Sequence, residues 1–170
     1  MLFRSVIRAC REVPETNASF DGAAGEITFF DYVNLGIAVA TPKGLVVASV
    51  DDAEQLSAVE LTERIAEQAA KAREGRLGPA ELTSSTITIS NVGVFGVDTG
   101  VPIINPGESA ILAVGAVRRR PWEHRGEVAL REVLTLAVSF DHRLIDGAEA
   151  SRFITAIGAV LERPALALVG

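Results

Sequence analysis

Val133-Leu134-Thr135-Leu136-Ala137-Val138-Ser139-Phe140 is an apolar run of strand length, and Asp141-His142-Arg143-Leu144-Ile145-Asp146-Gly147 follows it without a break. Asp146-Gly147-Ala148-Glu149 then has the spacing of a capping box, in which the first and fourth side chains satisfy free backbone donors at a helix start. The helix so begun runs from about Ala148 to Leu161 and ends before Pro164. A strand that passes through a short polar turn into a helix is an α/β unit.

Outward from this unit the same alternation continues. Upstream, Ala110 to Val117 reads as a strand, joined to the first by a polar loop that contains Trp122, His124 and Gly126. Thr86 to Ser90 alternates as a strand and enters a glycine-spaced loop, Asn91 to Gly107. Ser57-Ala58-Val59-Glu60 is a second capping box, Leu61, Ile65, Ala69 and Ala72 form one apolar stripe, and Gly75 supplies the stop. Val33 to Ala40 and Leu45 to Val50 flank Thr41-Pro42-Lys43-Gly44, a hairpin turn. Gly25 to Phe30 reads as a further strand, and Leu2, Val6, Ile7 and Cys10 give an opening helix. The expected fold is a two-layer α/β sandwich with a mixed sheet, as one domain over residues 1–170 without repeat or linker.

The composition narrows the function. Apolar residues make up 48% of the chain and the mean hydropathy is +0.30, an excess that predicts apolar surface hidden in an oligomer. No apolar stretch approaches the roughly 20 residues of a membrane helix. A net charge of −6 gives no electrostatic reason to bind nucleic acid, and the one basic run, Arg118-Arg119-Arg120, is expected in a solvated loop. The single Cys10 excludes an internal disulfide and a cysteine metal cage, and its apolar neighbours predict a small buried residue rather than a nucleophile. One unpaired cysteine is compatible with a reducing compartment.

Two histidines are available. His124 lies in the polar connection and is expected to be an exposed loop residue. His142 directly follows an apolar strand, so it is held on rigid backbone at a sheet edge, and taken alone it reads as a hydrogen-bonded core histidine. Asp146 reads as the cap of the last helix and, four residues from His142, as a group that orients the loop between them. Ser90, by its position alone, is a strand-end serine that bonds its own loop.

Asp141-His142-Arg143-Leu144-Ile145-Asp146-Gly147 resembles the motif of the acyltransferases of 2-oxo acid dehydrogenase complexes, and more loosely those of chloramphenicol acetyltransferase and peptide-synthetase condensation domains. Thr86-Ile87-Thr88-Ile89-Ser90-Asn91-Val92-Gly93, then Pro102-Ile103-Ile104-Asn105-Pro106 and Ser109-Ala110-Ile111-Leu112, is similar to the dihydrolipoyl acyltransferases in particular. The resemblance extends over essentially the whole chain, and from Gly93 to His124 it is nearest to branched-chain members. It implies a chloramphenicol acetyltransferase-like fold and a homotrimer that assembles further. It also implies a lipoyl domain and dehydrogenase components as partners, a cytoplasmic setting, and no metal.

The resemblance further implies an activity: an acyl group arrives as a thioester of lipoamide and leaves on coenzyme A, both acting as substrates. His142 matches the family's base, whose other ring nitrogen bonds a backbone carbonyl. Ser90 matches the hydroxyl that donates to the tetrahedral oxyanion. Asp146 matches the carboxylate that braces the active-site loop through an arginine. In the family the histidine and serine face each other across a subunit boundary.

The departures are specific. Family catalytic domains extend further at the N-terminus, so the arginine partner of Asp146 is expected to be missing. Ala48 stands where proline is usual. Neither lysine, Lys43 nor Lys71, has the setting of a lipoylated one, which places the lipoyl group outside this chain. Two rival readings follow: a non-catalytic core protein, and a free-standing acyltransferase that uses coenzyme A.

Overall fold

The computed structural model describes residues 1–168. Five strands form the central sheet: β3 (Leu35–Thr41), β4 (Gly44–Val50), β5 (Ile87–Asn91), β6 (Ala110–Val114) and β9 (Leu136–Phe140), in the order β4-β3-β5-β6-β9. The pairs β3–β4 and β6–β9 are antiparallel, whereas β3–β5 and β5–β6 are parallel, so the sheet is mixed as expected. The parallel neighbours β3 and β5 cannot be joined by a tight turn, and the chain passes between them through β4, α2 (Ala58–Arg73) and the short α3 (Pro79–Thr83).

Helices α1 (Leu2–Glu12), α2 and α4 (Gly147–Glu162) pack on one face. Val6, Ile7 and Cys10 of α1 meet Phe153 and Ile157 of α4 over Leu35, Ile87, Ile89 and Leu112 of the sheet. Ala72 of α2 covers Val39 and Ala48, and Ile37 packs against both clusters. Residues two apart along a strand share a face. The other face therefore carries Gly36, Thr88, Ile111 and Ser139 in one row across four strands. Gly36 is required there, because a Cβ would fall 2.4 Å from Thr88 Oγ1 and 2.9 Å from Val47 Cγ1.

The predicted caps are present. Ser57 Oγ accepts from Glu60 N while Glu60 Oε2 accepts from Ser57 N, and Gly75 ends the helix region at φ 68°. Cys10 is buried, and burial pushes its thiol up to about 12, which leaves no thiolate for nucleophilic chemistry. No helix among the described residues is long and apolar enough to cross a membrane.

Three segments differ from the sequence-based expectation. The strand expected from Gly25 is one half of a small antiparallel pair, β1 (Ala18–Asp21) with β2 (Glu26–Phe29). Helix α3 was not anticipated; Glu81 Oε2 accepts from Gly78 N, 2.8 Å, at its start. The larger correction concerns the polar connection with Trp122 and His124, which is a hairpin arm rather than a loop: β7 (Arg118–His124) pairs with β8 (Glu127–Val133). Arg125 (φ 57°) and Gly126 (φ 85°) form its turn with two successive positive φ values, the pattern that suits a tight hairpin. The Arg118-Arg119-Arg120 run accordingly lies on a strand, and Arg118 and Arg120 both pair with Asp98.

Candidate active site

β9 leaves the sheet at Phe140 and the chain turns at once. Asp141 N donates to Ser109 O, 2.8 Å, and the Asp141 carbonyl accepts from both Leu144 N and Ile145 N, 3.0 Å each. His142 is therefore presented on a closed turn. Its ring is exposed and rests against Phe140, with centroids 5.6 Å apart. Neither ring nitrogen is hydrogen-bonded to the described residues, so the backbone-carbonyl bond implied by the resemblance is not made within one chain.

The carboxylate of Asp146 accepts from Ala148 N, 2.7 Å, and Glu149 N, 3.1 Å, and Glu149 Oε2 accepts from Asp146 N, 2.9 Å. It is the cap of α4. Its contacts with the Glu149 side chain and with the two N–H groups hold its carboxyl below the usual range, and the neighbouring His142 adds a smaller pull. None of the described arginines reaches Asp146. The arginine of this turn, Arg143, pairs with Asp141 and holds that carboxyl below its ordinary range.

Ser90 is the fourth residue of β5 and is half-buried, on the face opposite the helices. Its hydroxyl makes no hydrogen bond to a described residue and is free to donate. The loop beyond it is seated closely on β6. A Cβ on Gly93 would fall 2.6 Å from the Gly115 carbonyl, and one on Gly115 would fall 1.9 Å from Asp98 O. Arg118 fastens this loop to the arm through Asp98, 3.0 Å, and the Gly96 carbonyl, 2.8 Å. Val94, Phe95, Val101 and Ile103 stay exposed on it.

Register separates the two candidate groups. Ser90 pairs with Ala113, and Ala113 pairs with Ala137. His142 lies three strand residues and a turn beyond Ala137, at the opposite end of β9. Three residues along the strand and two strand spacings across the sheet put them about 15 Å apart or more. One chain brings His142 and Asp146 together and leaves Ser90 at the other end of the sheet. His124 is at the tip of the arm, with Nε2 3.4 Å from Arg131. No group of three or more His, Cys, Asp or Glu among the described residues is placed to hold a metal ion.

The sequence did not announce the groups around Glu108, the neighbour of the Ser109 that anchors the His142 turn. Glu108 is buried, with Oε1 accepting from Ser85 Oγ (2.6 Å) and Thr88 Oγ1 (2.7 Å) and Oε2 accepting from Asn105 Nδ2 (3.2 Å). Burial raises its carboxyl pKa against these hydrogen bonds. Asn105 is a local partner three residues away, whereas Ser85 and Thr88 come from the segment that enters β5, so spacing alone does not mark the whole cluster.

Residues 1–169 match the family of 2-oxoacid dehydrogenases acyltransferase (catalytic domain). The succinyltransferase component of the 2-oxoglutarate dehydrogenase complex of Haemophilus influenzae is 42% identical over 161 residues, covering 95% of this chain and 39% of that protein. The acetyltransferase component of the pyruvate dehydrogenase complex of Mycoplasma capricolum is 41% identical over 165 residues, covering 97% of this chain and 38% of its own length. The chain thus spans about two fifths of these relatives.

Dihydrolipoamide acetyltransferase of Azotobacter vinelandii superimposes with a TM-score of 0.91 at 32% identity, over 99% of this chain and 71% of that one. That structure comes from an investigation of a serine, a histidine and an asparagine in its catalytic mechanism. The serine and histidine are 52 positions apart and the asparagine follows by four, the intervals of Ser90, His142 and Asp146 here. Chloramphenicol acetyltransferase, at 16% identity and a TM-score of 0.53 over 93% of this chain and 74% of that one, shares the fold. By sequence match over nearly its whole length and by fold, the chain belongs to the 2-oxoacid dehydrogenase acyltransferase family, within its catalytic domain.

Proposed function

We propose that the chain is the acyl-transfer domain of a dihydrolipoyl acyltransferase in a 2-oxo acid dehydrogenase complex, with each site shared between two copies. The observation that carries this reading is the placement of Ser90 and His142 at opposite ends of one sheet, each with its reactive atoms unoccupied. Neither can serve the other within a chain. A neighbouring copy that lays its His142 turn against Ser90 completes the pair, and three copies arranged head to tail close such contacts into a ring. In this reading the trimers assemble further, as a core that receives lipoyl domains and dehydrogenase components in a cytoplasmic setting.

His142 takes the proton of the coenzyme A thiol through its free Nε2, and the thiolate attacks the carbonyl carbon of the acyl-lipoyl thioester. Negative charge moves to the carbonyl oxygen. Ser90 Oγ, free to donate, stabilises that oxyanion. When the tetrahedral adduct collapses, the C–S bond to the lipoyl arm breaks, and the departing thiolate takes the proton held by His142. Asp146 fixes the start of α4 and with it the far side of the His142 turn.

Branched acyl groups are the preferred substrates in this reading. The loop after Ser90 exposes Val94, Phe95, Val101 and Ile103, while Arg118 and Arg120, which reach it, are both taken by Asp98. Such a wall suits an apolar branch and leaves a succinyl carboxylate without a cation.

His142→Ala should lower kcat for transfer from acyl-dihydrolipoamide to coenzyme A by about 10²–10⁴ with the fold intact. His124→Ala, at the tip of the arm, should leave the rate within about twofold. Equal losses at both positions contradict the assignment. An unaltered protein with no transfer activity would favour the non-catalytic core, and a preference for small amines or alcohols would favour the free-standing enzyme.

A further inference from the structure

The two residues that flank His142 in the chain are bonded to each other. Arg143 Nε lies 2.9 Å and 3.0 Å from the two carboxylate oxygens of Asp141, and Nη2 adds a second prong to Oδ2. The backbone N–H of Arg143 donates to the same carboxylate, 3.0 Å. The guanidinium also lies over the ring of Phe20, with Cζ 4.3 Å from the centroid. Phe20 belongs to β1, whose first residue donates from Ala18 N to Ser109 Oγ, 3.3 Å, and Ser109 O in turn accepts from Asp141 N. The contacts form a closed circuit: Asp141, Arg143, Phe20, β1, Ser109 and back to Asp141.

An ion pair whose arginine side chain is 61% exposed contributes little to folding. Its geometry is more telling than its strength. A planar guanidinium that is both forked onto a carboxylate and stacked on an aromatic ring has one orientation. Both peptide groups around His142 are thereby held, leaving the imidazole only its own side-chain torsions. The small β1–β2 pair, which adds no strand to the central sheet, is what brings the ring to the arginine.

We propose that Arg143 and Phe20 are positioning residues for acyl transfer, holding the Asp141–Arg143 segment so that the His142 ring stays aimed at the thiol. This rests on His142 being the base. An arginine that instead bound a phosphate of coenzyme A would act on substrate affinity, and the kinetics separate the two.

Arg143→Ala should lower kcat about 10–100-fold with KM for coenzyme A and for acyl-dihydrolipoamide within about twofold, because small misplacement of a catalytic group is costly. Arg143→Lys should recover little, since an ammonium cannot fork and stack at once. Phe20→Leu should lower kcat about 2–10-fold. A rise in KM with kcat unchanged overturns the proposal.

Position relative to His142 gives a second test. When Ser90→Ala and His142→Ala chains are co-refolded, only an interface that joins an intact His142 to an intact Ser90 can turn over. Arg143→Ala added to the Ser90→Ala chain, which supplies that His142, should abolish most of the recovered activity. The same change on the His142→Ala chain should not. Equal losses in both mixtures would show a general effect on folding and overturn the proposal. If the parent mixture is silent, the shared site falls and the kcat–KM split of Arg143→Ala decides alone. If His142→Ala itself stays active, the base assignment fails and the positioning role fails with it.

Discussion

His142 stands in a short polar turn whose neighbours are each tied by a named hydrogen bond, whereas Ser90 ends a buried strand and is followed by a loop with apolar side chains in solvent. The first end is organised from within the chain. Asp146 caps α4 on one side of the turn, Ser109 anchors the other, and the ring projects outward. The second end is seated by close backbone approach, with Gly93 against Gly115 and Gly115 against Asp98, and it leaves Val101 and Ile103 uncovered. The polar turn at one end and the apolar loop at the other are the two surfaces that the proposed shared site would bring together.

That contrast can be broken first at Ser90. Ser90→Ala should lower kcat about 10²–10³-fold while KM changes little, as expected for a donor that serves only the oxyanion. A change confined to KM would make the Ser90 end a substrate-holding surface and end the symmetry of roles between the two halves. The apolar loop gives a smaller effect. Transfer from isobutyryl-dihydrolipoamide should exceed transfer from the acetyl form in kcat/KM by about tenfold, the scale of one or two buried methyl groups. Transfer from the succinyl form should be slower than from the isobutyryl form, and a succinyl preference would refute the apolar wall.

The smallest effect belongs at Glu108, the neighbour of Ser109. Its folded-state pKa is raised by burial, so its contribution to stability is fully present below the ordinary glutamate range and is lost as pH rises through the raised value. Glu108→Gln removes this dependence. Relative to Glu108→Gln, the unaltered protein should lose stability to denaturant as pH rises from about 4 toward neutrality. A difference that is flat across that window would show that Glu108 titrates as an ordinary surface carboxyl.

The elements with a periodic apolar pattern were legible in the sequence. Ile87 and Ile89 alternate with Thr88 and Ser90, and Leu61 and Ala72 follow a helical stripe behind a capping box that forms as written. The β7–β8 arm was not legible, because its strands are exposed on both faces and so carry no alternation. Its signal lay in the turn instead, at Arg125-Gly126. In the site, Asp146 as a helix cap could be read from spacing alone. The distance between Ser90 and His142 could not, since it depends on β6 lying between β5 and β9 and on the opposite directions of β5 and β9. The circuit through Phe20 was hidden for a similar reason, since it joins residues far apart in the chain.

Co-refolding of the two site variants tests the shared site most directly. Ser90→Ala and His142→Ala chains, unfolded together in equal amounts and refolded to trimers, should place an intact His142 against an intact Ser90 at about one interface in four. Activity should recover toward that fraction of the unaltered protein's, while the same two variants mixed without unfolding stay inactive. A refolded mixture, shown to be trimeric, that is no more active than either variant alone would contradict the account.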